Sequence, residues 1–313
     1  KLDGVSGLYS TENGEKKLIS KVNFNDMISC GYSYTFLTIN GKTYSFGAGE
    51  NGRLGDNNCN HTNIPILINC VKMKKIVSGS TFTIGLSKDN ELYSCGDKRY
   101  NGHGLEEDLL EFRKIDFKGQ LFNDVSIGTG GYHTLALTLS GDIYTWGHNR
   151  VGQLGFESDK DKIEKDDTQK YETEEDVTEE DVTEEDEDDH YYHKLPKRIT
   201  NLPPIIQVRA GWGHSTLLSI NKKILGCGRI DEDQFNFEDF SINNKGKKYV
   251  SKFTLFNEFN KNIKYIECGG THSAAITNCD ELYLWGNNDE KQLCEFNKNI
   301  KTSNIPLLFD SKL

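Results

Sequence analysis

The sequence is short of several things that would mark a membrane protein, a helical protein or a metal or redox site. Its 313 residues hold five Pro and two Met, and no run of 18 apolar residues occurs. No helix is therefore expected to cross a membrane, and no membrane partner is expected. The first residue is Lys1, and no secretory leader is visible. Eight cysteines stand at 30, 59, 70, 95, 227, 268, 279 and 294, with no Cys-x-x-Cys pair among them. That spacing excludes a zinc ribbon or a thioredoxin-type site. The cysteines read as reduced, buried thiols of an intracellular protein, in cytoplasm or nucleus. No Gly-x-Ser-x-Gly elbow, no phosphate-binding glycine loop with Lys and no His-Glu-x-x-His helix is present. No catalytic, cofactor-binding or metal-binding residue is assigned, and no small-molecule substrate is expected.

Charge is unevenly spread. The formal net charge is −11, but residues 157–189 alone carry 19 Asp/Glu and four Lys, a local −15 that leaves +4 on the remainder. A mildly basic body carries one strongly acidic insert. That body is a weak base for binding nucleic acid directly, because no basic and aromatic stripe accompanies it.

What the chain does hold is Gly, Tyr and Phe (30, 14 and 16 residues), a composition that favours short strands and tight turns. It also holds a repeat. Five copies pair a first anchor glycine (Gly31, Gly79, Gly130, Gly211, Gly269) with a second (Gly47, Gly96, Gly147, Gly228, Gly286), at offsets of 16, 17, 17, 17 and 17 residues. The copies start 48, 51, 81 and 58 residues apart, and removing the 33 residues of the acidic insert returns the 81 to 48. Each unit reads as a hairpin. Leu135–Leu139 is an apolar run of strand length, Ser140-Gly141 is a two-residue turn, and Ile143–Trp146 returns. Equivalent turns fall at Asn40-Gly41, Asp89-Asn90, Asn221-Lys222 and Cys279-Asp280, residues that suit a turn. A second motif follows the return strand: Asn51-Gly52-Arg53-Leu54-Gly55 and Gly152-Gln153-Leu154-Gly155, decayed to Gln234-Phe235 and Gln292-Leu293. Its Leu or Phe reads as a plug between neighbouring units. One such hairpin cannot bury its faces, so the copies must stack or close into a ring.

The third copy, Gly130-Gly131-Tyr132-His133-Thr134 through Trp146-Gly147-His148-Asn149-Arg150-Val151-Gly152-Gln153-Leu154-Gly155, resembles the regulator of chromosome condensation repeat. The resemblance covers about residues 23–313 apart from the insert. It implies an all-β fold, a β-propeller of four-stranded blades. Five blades are countable, at about 23–70, 71–119, 120–202, 203–260 and 261–313. Residues 1–22 read as the tail of another repeat, so five is a minimum, and six or seven are expected of a complete ring.

Two segments stand outside the repeat. Residues 157–193 contain a Thr-Glu-Glu-Asp-Val pentapeptide repeat starting at Thr173, Thr178 and Thr183. Such a run cannot bury enough apolar surface to offset its ordering entropy, so it is expected to be a disordered loop expansion. Its functional reading is an acidic tether in which Glu174, Glu175 and Asp176 meet a basic partner such as a histone, with the three threonines as substrates of an acid-directed kinase. Residues 229–252 form the second expansion. There Phe235 and Phe237 alternate as in an outer strand. With Phe240 they alternatively form an apolar projection that docks a partner.

His133, His214 and His272 occupy one repeat position, filled by Tyr34 and Phe82 in the other copies. An aromatic that replaces His argues for packing plus a hydrogen bond to nearby backbone, against a three-His metal site. Two function classes remain. One is an adaptor or regulatory subunit that holds a protein partner through loops on a rigid scaffold. The other, implied by the resemblance, is a guanine-nucleotide exchange factor for a Ran-like small GTPase with chromatin association, which acts by preferring the nucleotide-free state.

Overall fold

The computed structural model describes residues 7–12, 15–21, 27–157, 191–243, 246–259, 261–294 and 301–309. The described elements are almost wholly strands, arranged as a β-propeller with five blades. Blade 1 comprises Met27–Cys30, Tyr34–Ile39, Lys42–Gly47 and Thr62–Ile68. Blade 2 comprises Met73–Ser78, Phe82–Ser87, Leu92–Gly96 and Leu109–Lys114. Blade 3 comprises Phe122–Ile127, His133–Thr138, Ile143–His148 and Tyr192–Ile199. Blade 4 comprises Ile205–Ala210, His214–Ser219, Ile224–Arg229 and Lys248–Leu255, with a short fifth strand, Ser241–Ile242, on its outer edge. Blade 5 comprises Ile263–Cys268, His272–Thr277, Leu282–Asn287 and Thr302–Leu308. Before blade 1 lies a separate antiparallel hairpin, Gly7–Glu12 with Glu15–Lys21.

Every blade is an antiparallel meander, so each hairpin turn has a local cause. The tight turn between second and third strands places its last residue at positive φ: Gly41, Asn90, Gly141, Lys222 and Asp280. The first strands of all five blades line one central channel. The core lies between blades. Leu135, Leu137 and Ile143 of blade 3 pack on Val208, Leu217 and Leu225 of blade 4. Phe82, Ile84 and Leu86 of blade 2 meet Val125, Ala136 and Trp146 of blade 3. This is why the second strands read as continuous apolar runs: neighbours cover both of their faces.

The meander also sorts the connections by end. Turns between second and third strands fall on one face of the propeller, the turn face. Turns between first and second strands, and the long connections between third and fourth, fall on the other. Backbone bonds tie these two sets together on that face: Ala48 N–H to Ser33 O, Asp97 to Thr81, His148 to Tyr132, Arg229 to Gly213 and Asn287 to Thr271. We call this the loop face.

Candidate docking face

The loop face is rigid because repeat residues hold its base. Gly47, Gly96, Gly147, Gly228 and Gly286 all have φ between 95° and 112°. A Cβ at any of them would also lie 2.4–2.6 Å from a carbonyl oxygen of the first turn. Glycine is required twice over, by conformation and by space. The first anchors work differently. A Cβ on Gly31, Gly79, Gly211 or Gly269 would run into the ring of Tyr34, Phe82, His214 or His272 in the same blade. Their N–H groups close the turn on the carbonyl of that ring's residue, at 2.8–2.9 Å.

In blade 3 the residue in this place is Gly128, not Gly130. Gly128 N–H bonds His133 O at 2.9 Å, and its missing Cβ clears the His133 ring. Two extra residues widen this turn, and Gly130 is glycine for another reason: Trp212 of blade 4 lies over it, 1.9 Å from where a Cβ would sit. The even spacing read in the sequence conceals this bulge.

Two of the three histidines, His133 and His214, bond side chains across blade junctions rather than nearby backbone. His133 Nε2 lies 3.0 Å from Ser215 Oγ, and His214 Nε2 lies 3.0 Å from Ser273 Oγ. Ser215 donates its proton to Gln153 O at 2.7 Å, so His133 Nε2 is the donor toward Ser215. Tyr34 does the same work at the first junction, donating to Phe82 O at 2.5 Å beside Thr83 Oγ1. At the junction of blades 2 and 3 the residue is Phe82, and Thr134 Oγ1, in the receiving position, is buried without a partner. Burial holds His133 and His214 neutral, with pKa values depressed to about 3. His272, half-buried in blade 5, is depressed in the same direction by partial burial. Among the described residues no group of acids, His and Cys could hold a metal.

The plug residues sit where the second motif places them. Leu54 and Leu154 are fully buried, as are Phe235 and Leu293. In blade 2 the equivalent is His103, seven residues after Gly96 as Leu54 is after Gly47. Its Nε2 lies 3.0 Å from Ser94 Oγ, and burial lowers its pKa to about 4. No Leu marks this site in the sequence, so only the offset from the glycine could have found it.

Phe235 was a candidate for partner contact and is not available for one. It is 2% exposed and its ring fills the space left by Gly226. Phe237 stacks on it, centroids 5.0 Å apart, and is half-buried. Neither lies in a strand; the outer strand of this expansion is Ser241–Ile242. Phe240 is exposed, with Lys248 Nζ 4.9 Å from its ring centre. Glu174, Glu175, Asp176, Thr173, Thr178 and Thr183 lie outside the described residues.

What the loop face offers a partner is therefore aromatic. Tyr32 is 86% exposed, Trp212 52% and Tyr132 38%, and all three lie in turns between first and second strands. Arg229 lies over Trp212, 5.9 Å from its ring centre, and is itself clamped by Asp231 and Glu232. Both expansions join this same face, the acidic insert between Glu157 and Tyr191 and the blade 4 expansion between Arg229 and Lys248. Inside the channel, a charge chain crosses four blades: Lys75 Nζ to Asp124 at 2.6 Å, Asp124 to Arg209 at 3.0 Å, and Arg209 to Glu267 at 3.1 Å. Tyr265 accepts from Arg209 at 2.9 Å and donates to Glu267 at 2.7 Å. Sequence reasoning missed this chain, because its members sit at two different repeat positions in four blades.

A fold of stacked four-stranded blades with these glycine anchors and plugs defines a repeat propeller, and comparison with known proteins gives its family. Two profiles, each described as the regulator of chromosome condensation (RCC1) repeat, match residues 73–104 and 125–153, and residues 40–86 and 140–218. The chain belongs to the RCC1-repeat family. It is 26% identical over 282 residues to the human E3 ubiquitin-protein ligase HERC2, covering 84% of this chain and 5% of that protein. It is 25% identical over 275 residues to the Arabidopsis thaliana ultraviolet-B receptor UVR8, covering 85% of this chain and 54% of the receptor. The mouse X-linked retinitis pigmentosa GTPase regulator is 29% identical over 326 residues, across 95% of this chain and 32% of its own length. The chain thus spans about half or less of these relatives. Among solved structures, human WBSCR16 superposes with a TM-score of 0.68 at 17% identity, over 95% of this chain and 71% of its own. Prp20p from Saccharomyces cerevisiae, studied with its binding to Gsp1p and histones, gives 0.51 at 18% identity, over 91% and 76%.

Proposed function

We propose that this chain is a non-enzymatic docking platform, an adaptor or regulatory subunit that holds a protein partner on its loop face. One observation carries the reading: both departures from the repeat, and three exposed aromatics in the first turns, belong to the same face. Tyr and Trp in a rigid frame are favoured anchors of protein interfaces. Eight free thiols support a reducing compartment, cytoplasm or nucleus, although only Cys95, Cys227 and Cys268 are buried and the general burial expected of the cysteines does not hold. Affinity purification from the native cell, with the full chain and with a chain lacking residues 157–189, tests the reading. A discrete partner set is expected with the full chain. Recovery of the propeller alone would overturn the reading, and an unchanged set after deletion would reduce the insert to a spacer.

A second reading is exchange on a Ran-like small GTPase with chromatin association. It is supported by the likeness in fold to Prp20p, whose structure was solved alongside its binding to Gsp1p and histones. Loading a panel of small GTPases with fluorescent GDP and adding the protein tests it. Accelerated release from one member is expected on this reading, and no acceleration from any would remove it.

A further inference from the structure

The channel opens on the loop face as a funnel. Its cavity of about 610 Å³ is lined at that mouth by Gly31, Tyr32, Gly79, Ser80 and Gly128–Gly130. Four of these lining residues are glycines, so little side chain projects into the mouth apart from Tyr32, Ser80 and Thr129. Tyr32 stands on this rim, and Trp212 joins it by lying over Gly130. Deeper in the wall, Arg209 is taken up between two carboxylates and is largely covered, while the Glu267 side chain is 51% exposed toward the cavity. The surroundings lean the same way. The described third-to-fourth connections (48–61, 97–108, 149–157, 230–247, 288–301) hold 14 Asp/Glu against seven Lys/Arg. The described turn-face connections hold seven against six. Glu107, Glu238, Asp239 and Glu290 on the loop face are exposed.

We propose that this funnel and its aromatic rim receive an extended, lysine- and arginine-rich segment of the partner protein, an inference that rests on the loop face being the docking face. Lys and Arg fit each feature. Their alkyl stems cover aromatic surface while the charged end stays polar. Cations sit over exposed rings, as Arg229 already does over Trp212. An acidic rim raises the local concentration of a basic segment and repels an acidic one. Glu267 already accepts from Arg209 and Tyr265 through one oxygen, and its half-exposed carboxylate offers an entering cation a shared partner.

The test is fluorescence anisotropy of a labelled Lys/Arg-rich peptide titrated with the full chain, a Glu-rich peptide of equal length serving as control. Saturable, salt-sensitive binding of the basic peptide alone is expected. The double variant Tyr32→Ala/Trp212→Ala, with an unchanged melting temperature, should weaken it about tenfold or more. Glu267→Gln should weaken it less, and a chain lacking residues 158–190 should still bind. Preference for the Glu-rich peptide, loss of binding on removing 158–190, or a rim variant that binds as well as the parent would each overturn the proposal. If the rim variant loses its native partner while the parent binds neither peptide, the docking face stands and the basic chemistry falls.

Discussion

The blade junctions and the loop face use the same residue types to opposite ends. Trp285 is fully buried, its indole N–H bonded to Gln234 O at 2.8 Å, whereas Trp212 is 52% exposed on the loop face. Gly226 leaves its side-chain space to the buried plug ring of Phe235, whereas a Cβ on Gly270 would meet nothing within 4 Å. His133 is sealed between blades, whereas His61 lies open at the surface beside Glu50, 2.7 Å away. Residue identity alone therefore says little about role; position within the blade decides it. Junction residues build the ring, and loop-face residues are left over for something else.

The largest expected effect sharpens this contrast directly. Trp285→Ala should lose about 3–5 kcal/mol of stability, from the cavity and the orphaned carbonyl together. Trp212→Ala should stay within about 0.5 kcal/mol. Denaturant melts of the two variants check this, and similar losses from both would erase the distinction.

Acid should find the junctions next. His133 and His214 have folded pKa values near 3, against an ordinary value of 6.5. Between those limits the unfolded chain binds more protons. Their contribution is therefore complete above about pH 6.5 and is lost as pH falls. Each ring contributes a slope of up to about 1.4 kcal/mol per pH unit. The variant His133→Phe/His214→Phe, which copies Phe82, should flatten the acid limb of a stability profile. A profile as steep as the parent's would place the sensitivity elsewhere.

Smaller still is the glycine pair. Gly147→Ala should cost about 1–3 kcal/mol through strain and the approach to Tyr132 O. Gly270→Ala should be neutral within about 0.5 kcal/mol, read as a shift in thermal midpoint.

The sequence carried the propeller well, because blades repeat and repetition exposes the hairpins, the turns and the second anchor glycines. It could not carry what those positions touch. The hydroxyl that His133 bonds is 82 residues away, and the ring that fills Gly226 belongs to a motif read separately. Gly128 was hidden because Gly130 kept the spacing that Gly128 breaks. Phe235 supported three readings, plug, outer strand and partner contact, and only the packing against Gly226 chose between them. Of the docking face, the two expansions were visible, while Tyr32 and Trp212 were not: nothing in a single sequence separates an exposed aromatic turn residue from a buried one.

The central claim is that partners dock on the loop face and that the turn face only joins the blades. Parallel affinity capture from the native cell measures it, using the parent, Tyr32→Ala/Trp212→Ala, and a turn-face variant, Ser140→Arg/Lys222→Glu, with equal melting temperatures confirmed beforehand. The account predicts that the loop-face variant loses the partner set and the turn-face variant keeps it. Retention by the first and loss by the second would contradict it.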